Sequence, residues 1–157
     1  RYRVESDIRE ARQSIWNLRS PRLERHGLAE ALHEQARQQL EPAGVALRFD
    51  VEGRSTTAPT EIEEQLMRIG GEAVANIVRH ARATEASLGL VYHPHSIVLT
   101  VSDNGRGFVL DARTATPDHI GLTTMRERAH SIGGSLQVVT QPDHGTTVIA
   151  TVPSRPA

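Results

Sequence analysis

The chain has 157 residues, a formal net charge of −1 and no cysteine, so it suits one domain, or one domain with a short appendage, and holds no disulfide or thiolate metal site. A near-neutral balance argues against nucleic-acid binding through a basic field, and one Trp, two Tyr and two Phe are too few for a base-stacking platform. No apolar run approaches the ~20 residues of a membrane span.

Residues 1–18 read as a helix, with Val4, Ile8, Ala11, Ile15 and Leu18 at three- and four-residue steps. Ser20-Pro21 stops it. Residues 27–40 form a second helix on the stripe Leu28, Ala31, Leu32, Ala36 and Leu40, ended by Pro42 and Gly44. Residues 45–51 alternate apolar and polar, as a half-buried strand does. After a polar loop, Thr60 is positioned to cap a long helix, with Glu63 in capping-box position. That helix runs to about Arg82 and turns Ile62, Leu66, Ile69, Ala73, Ile77 and Ala81 inward. Gly70-Gly71 in its middle costs ~1 kcal/mol per Gly relative to Ala. A close backbone contact would explain the pair.

Residues 86–92 and 96–102 are two strands joined by His93-Pro94-His95, whose histidines suit an exposed turn better than a metal. Residues 109–119 are a polar loop. Residues 122–132 are a helix ended by Gly133-Gly134. Residues 135–140 and 146–152 make a closing hairpin. Helices on one side of a largely antiparallel sheet predict an α/β (α+β) two-layer sandwich of about five strands and three helices.

Four polar signals stand out. Asp103-Asn104-Gly105-Arg106-Gly107-Phe108 puts a carboxylate at a strand end, before a flexible turn. The carboxylate can accept from an exocyclic amine, and the glycines allow backbone near a flat ring; equally, Asp-Asn-Gly is ordinary turn chemistry. Glu72, Asn76, Arg79 and His80 share one stripe of the long helix. Asn76 offers an oxygen to Mg²⁺, Arg79 and His80 can meet phosphates, and Glu72 can orient a metal-bound water or take a proton; the stripe also suits a solvated face. Gly121, Leu122 and Thr123 open a helix whose free N–H groups and dipole can receive an anion, or they are a plain helix start. Gly145-Thr146-Thr147 is a hairpin signal with hydroxyls beside it.

The order E-x3-N-x2-RHA, DNGRGF, GL-x2-MRER and GTT-V resembles the ATP-binding catalytic domain of sensor histidine kinases. These belong to the wider GHKL, or Bergerat-fold, superfamily with gyrase, the HSP90 chaperones and MutL. The likeness covers residues 45–153, and residues 66–81 with MRERA at 125–129 resemble the subfamily that signals to NarL/LuxR-type response regulators. Residues 9–21 are similar to the end of that subfamily's second dimerisation helix and its linker. The resemblance therefore implies a boundary near residue 21, with the catalytic domain over residues 22–157.

Carried over, the resemblance implies ATP and Mg²⁺ as ligands. Asp103 would accept from the adenine amine, and Gly105 and Gly107 would shape its pocket. Asn76 would ligate Mg²⁺, while Arg79 and His80 would contact phosphates. Gly121, Leu122 and Thr123 would cradle the polyphosphate, and Thr146 would support the adenine end through water. Residues 109–119 would be the lid. Glu72 stands where the superfamily's ATPases activate water, and here it would help organise the metal. His119 and Thr124 depart from a pattern that often has glycine at both places. The phosphoacceptor pattern E-L-H-D-x3-Q is absent. The implied partners are the chain's own dimerisation and phosphoacceptor domain and a response regulator, with no direct nucleic acid. The full protein would be a homodimer and this piece a monomer, on the cytoplasmic side of a membrane-anchored bacterial sensor. Two alternatives are a non-catalytic nucleotide-sensing or docking module and an anti-sigma-factor serine kinase.

Overall fold

The computed structural model describes residues 27–108 and 120–155. The expected dimerisation helix and linker, the lid and His119 lie outside the described residues. The order is α1 (Leu28–Leu40), β1 (Ala46–Glu52), α2 (Thr60–Asn76) with a π-helical turn (Ile77–Ala81), β2 (Glu85–Tyr92), β3 (Ser96–Asp103), α3 (Ile120–Ser131), β4 (Ser135–Thr140) and β5 (Thr146–Pro153).

The apolar stripes do what their periods predict. Leu28, Ala31, Leu32, Ala36 and Leu40 are buried on α1, and Ile62, Leu66, Ile69, Ala73 and Val74 on α2. Strands β2 and β3 bury every second residue: Leu88 and Leu90 on one, Ile97, Leu99 and Val101 on the other. The five strands run β1-β2-β3-β5-β4. Among the described strands only β1 with β2 is parallel; it is joined across by α2, as a parallel pair requires. The remaining pairs are antiparallel. One layer of helices on one mixed sheet is the expected sandwich, with the core between the layers.

Three local expectations need correction. Thr60 does not cap α2: Pro59 holds that position and no side-chain cap bond forms. Glu63 instead reaches back to the N–H of Ala58 at 3.3 Å, so the loop end rather than the cap residue is tied down. The long helix does not stay α-helical to Arg82; its last five residues widen into a π turn, and Arg82 leaves it at φ 54°. The third helix begins at Ile120, so Gly121 lies in its first turn rather than before it.

The Gly70-Gly71 pair is explained by α1. A Cβ on Gly70 would lie 2.8 Å from Leu32 Cδ2, in a spot where Leu32 has no exposed surface. Gln35, beside Gly71, donates through Nε2 to the Met67 carbonyl at 3.0 Å. The contact is therefore with side chains of α1. Gly70→Ala gains helix propensity of ~1 kcal/mol but overpacks by ~1–3 kcal/mol. A net loss of about 1 kcal/mol is expected in chemical denaturation, where equal or higher stability would discount the Leu32 contact.

Candidate functional site

The π turn, the D-x-G-x-G turn after β3 and the start of β5 close around one cavity of about 250 Å³. Ala73, Ile77, Ala81, Val101, Leu122, Phe108 and Val148 supply its apolar wall. Its polar atoms come from Asn76, His80, Asp103, Arg106 and Thr146. A mainly apolar slot with a few convergent polar groups suits a flat heterocycle with a polar tail. The π turn contributes here, because Ile77, His80 and Ala81, three and four residues apart, lie on one face and line the same wall.

Asp103 ends β3 and is half-buried. Burial pushes its carboxyl above the usual carboxylate range, and the backbone N–H groups of Gly105 and Thr146 pull it part of the way back. The Gly105 N–H donates to Oδ1 at 2.7 Å. The carboxylate is thus fixed in direction, with acceptor capacity facing the cavity.

The neighbouring Asn104 is structural. Its Oδ1 accepts from the N–H groups of Thr84 and Glu85 at 3.0 Å each, and its Nδ2 donates to Thr84 Oγ1 at 2.9 Å. The glycines differ in purpose. Gly107, at φ 59°, is on the cavity wall, and a Cβ there would strike the Gln141 carbonyl. Gly105 is buried against the Ala81 carbonyl and faces protein backbone, not the cavity.

Thr146 is oriented by a residue the sequence reading did not single out. Thr140 Oγ1 donates to the Gly145 carbonyl at 3.2 Å and accepts from the Phe108 N–H at 3.1 Å. Its single proton is then used, so the 2.9 Å contact between the two hydroxyls is a donation from Thr146. Thr146 Oγ1 is left as an acceptor at the cavity.

Asn76 and His80 line the cavity, one helical turn apart. Glu72 lies a turn earlier, and a Cβ on Gly121 would come 2.6 Å from Glu72 Oε2 and 3.3 Å from Asn76 Nδ2. Both side chains therefore meet the first turn of α3 at Gly121. Leu122 is buried in the cavity wall, Thr123 is exposed, and Arg79 is exposed off the wall. Among the described residues no group of three or more His, Cys, Asp or Glu could hold a metal by itself. Asn76 and Glu72, which both approach Gly121, carry oxygen donors of the kind that suit Mg²⁺ arriving with phosphates and water, the ion's usual manner of binding.

A family model described as histidine kinase-, DNA gyrase B- and HSP90-like ATPase matches residues 61–156. This chain belongs to that family. It is 30% identical over 150 residues to the signal transduction histidine-protein kinase/phosphatase DegS of Brevibacillus brevis, covering 96% of the chain and 38% of the relative. It is 33% identical over 147 residues to the sensor histidine kinase LiaS of Bacillus subtilis, covering 94% of the chain and 40% of the relative. The chain thus spans about two fifths of the length of these relatives. Among solved structures, the catalytic domain of histidine kinase ThkA superposes with a TM-score of 0.66 at 13% identity, over 83% of this chain and 93% of that one. The Acinetobacter baumannii histidine kinase AdeS gives a TM-score of 0.65 at 15% identity, over 81% of this chain and 63% of that one. These two likenesses concern the fold. Among the described residues no helix is long and apolar enough to cross a membrane.

Proposed function

We propose that this member of the family is the ATP-binding catalytic domain of a sensor histidine kinase. The observation that carries the reading is a half-buried carboxylate, Asp103, held by two backbone N–H groups at the floor of an apolar slot. Such a group accepts from the amine of adenine and opposes the carbonyl that guanine presents there. Thr146 would complete the adenine end by accepting from a bridging water. Asn76 would ligate Mg²⁺, His80 and Arg79 would meet phosphates, and Gly121, Leu122 and Thr123 would present the start of α3 to the polyphosphate. Mg²⁺ would neutralise charge on the phosphate oxygens. Glu72 beside Asn76 would hold the arrangement of that coordination.

In the reaction the bond from the γ-phosphorus to its bridging oxygen breaks and a phosphorus–nitrogen bond forms on a histidine, which gives up its proton. Transfer of this kind is mainly positioning and charge stabilisation. The acceptor histidine would lie on the protein's dimerisation domain, the full protein would act as a homodimer on the cytoplasmic side of a membrane, and the phosphoryl group would pass to a response regulator of NarL/LuxR type. The MRERA motif and the named kinases among its relatives support this assignment.

The test joins the chain to a dimerisation domain carrying its histidine and supplies γ-labelled ATP. Acid-labile phosphate on the histidine, lost on chelating Mg²⁺, is the expected result. Bound ATP with no label would overturn the kinase reading.

A further inference from the structure

Arg106 is the fourth residue of the D-x-G-x-G turn, between its two glycines, and it is bonded on three sides. Its backbone N–H donates to the Ala81 carbonyl at 2.7 Å, and its Nε donates to the His80 carbonyl at 2.6 Å. Its own carbonyl accepts from the Asp143 N–H at 2.6 Å, at the β4–β5 turn. The two acceptors on the helix side are the last carbonyls of the π turn, which have no partner further along the helix. A guanidinium at that end also answers the negative end of the helix dipole. One residue from the base end of the cavity therefore caps the element that carries Asn76 and His80.

The geometry points to Arg106 as a positioning residue that sets affinity for the phosphate and metal end of the nucleotide by holding the π turn. This rests on the nucleotide-site reading. Without the Nε donor the His80 carbonyl loses its partner, and the helix end that carries His80 is held to the D-x-G-x-G turn by the Arg106 N–H alone. Release of that end would let His80 shift on the wall while leaving Asp103, fixed from Gly105 and Thr146, in place. The part of the affinity that comes from adenine should then persist.

Lysine separates this role from a charge effect. Its side chain places a methylene where Arg106 has the Nε–H, so it keeps the charge and loses the donor at that position. The experiment is an NMR titration of Mg·ATP and of adenosine into the 157-residue chain, as wild type, Arg106→Met and Arg106→Lys. Both variants are expected to lose tenfold or more in ATP affinity, with adenosine within twofold of wild type. Equal weakening of both ligands, no weakening, or full recovery of ATP affinity by lysine would overturn the assignment. If the methionine variant fails to fold, the lysine variant alone still decides. Failure of the wild type to bind ATP would instead sink the nucleotide-site reading.

Discussion

Asp103→Asn is expected to abolish ATP binding measurable by calorimetry without lowering the domain's stability. The amide presents one acceptor and one donor where the carboxylate presents two acceptors. With its oxygen on the Gly105 N–H, its NH₂ faces the adenine amine. Turned over, the same NH₂ faces the Gly105 N–H. Either orientation sets donor against donor in a half-buried site. Sites built to bond one polar group reject the wrong partner by factors on the order of 10⁴.

The stability half of this prediction follows from the carboxyl's environment. Burial lifts the Asp103 carboxyl above its ordinary range. A carboxyl lifted by folding is costly to ionise in the folded state. That cost grows as pH rises from the unfolded value through the folded one, and above this window it is present in full. Neutralising the group should therefore leave the unfolding temperature at pH 7 unchanged or raised. Wild-type affinity for ATP in this variant would remove Asp103 from the site. Lost binding with a collapsed melting transition would make Asp103 a structural residue only.

What the sequence could show of this site follows from how its parts are connected. Asp103 was legible because a strand pattern, a carboxylate and a D-x-G-x-G turn are contiguous. Asn76 and His80 were legible because one helical period relates them. The π turn was not, because Ile77-Val78-Arg79-His80-Ala81 reads equally well at 3.6 residues per turn. The bonds that hold its end come from 25 and 26 positions away, where Arg106 takes the last two carbonyls. Thr140 escaped notice for the same reason: its bonds to Phe108, Gly145 and Thr146 exist only once β4 and β5 have paired. The double glycine in α2 suggests a close backbone contact, whereas its neighbours are the side chains of Leu32 and Gln35 on another helix. Periodic and contiguous features were readable; bonds set by tertiary pairing were not.

Gly105→Ala is expected to weaken both the fold and the site, although alanine is the smallest replacement that adds a side chain. Its Cβ would sit inside the Ala81 carbonyl oxygen, with the Ala81 carbonyl carbon at 2.7 Å and Cβ at 2.8 Å. Two of those three atoms are backbone at the end of a helix, so no rotamer change can make room. The turn must move away, and moving it breaks the Arg106 N–H bond to Ala81 and strains the Nε bond to His80. Overpacking of this kind costs ~1–3 kcal/mol. For a domain of this size that lowers the melting temperature by about 4–12 °C. ATP affinity should fall with it, because Asp103 receives its Oδ1 bond from the displaced Gly105 N–H. Gly89→Ala is the matched control: among the described residues nothing lies within 4 Å of a Cβ there, in the middle of β2. Its melting temperature should stay within about 2 °C of wild type, since surface changes of this sort stay within ~0.5 kcal/mol. Equal effects at positions 89 and 105 would show that glycine content, not contact with Ala81, governs the turn.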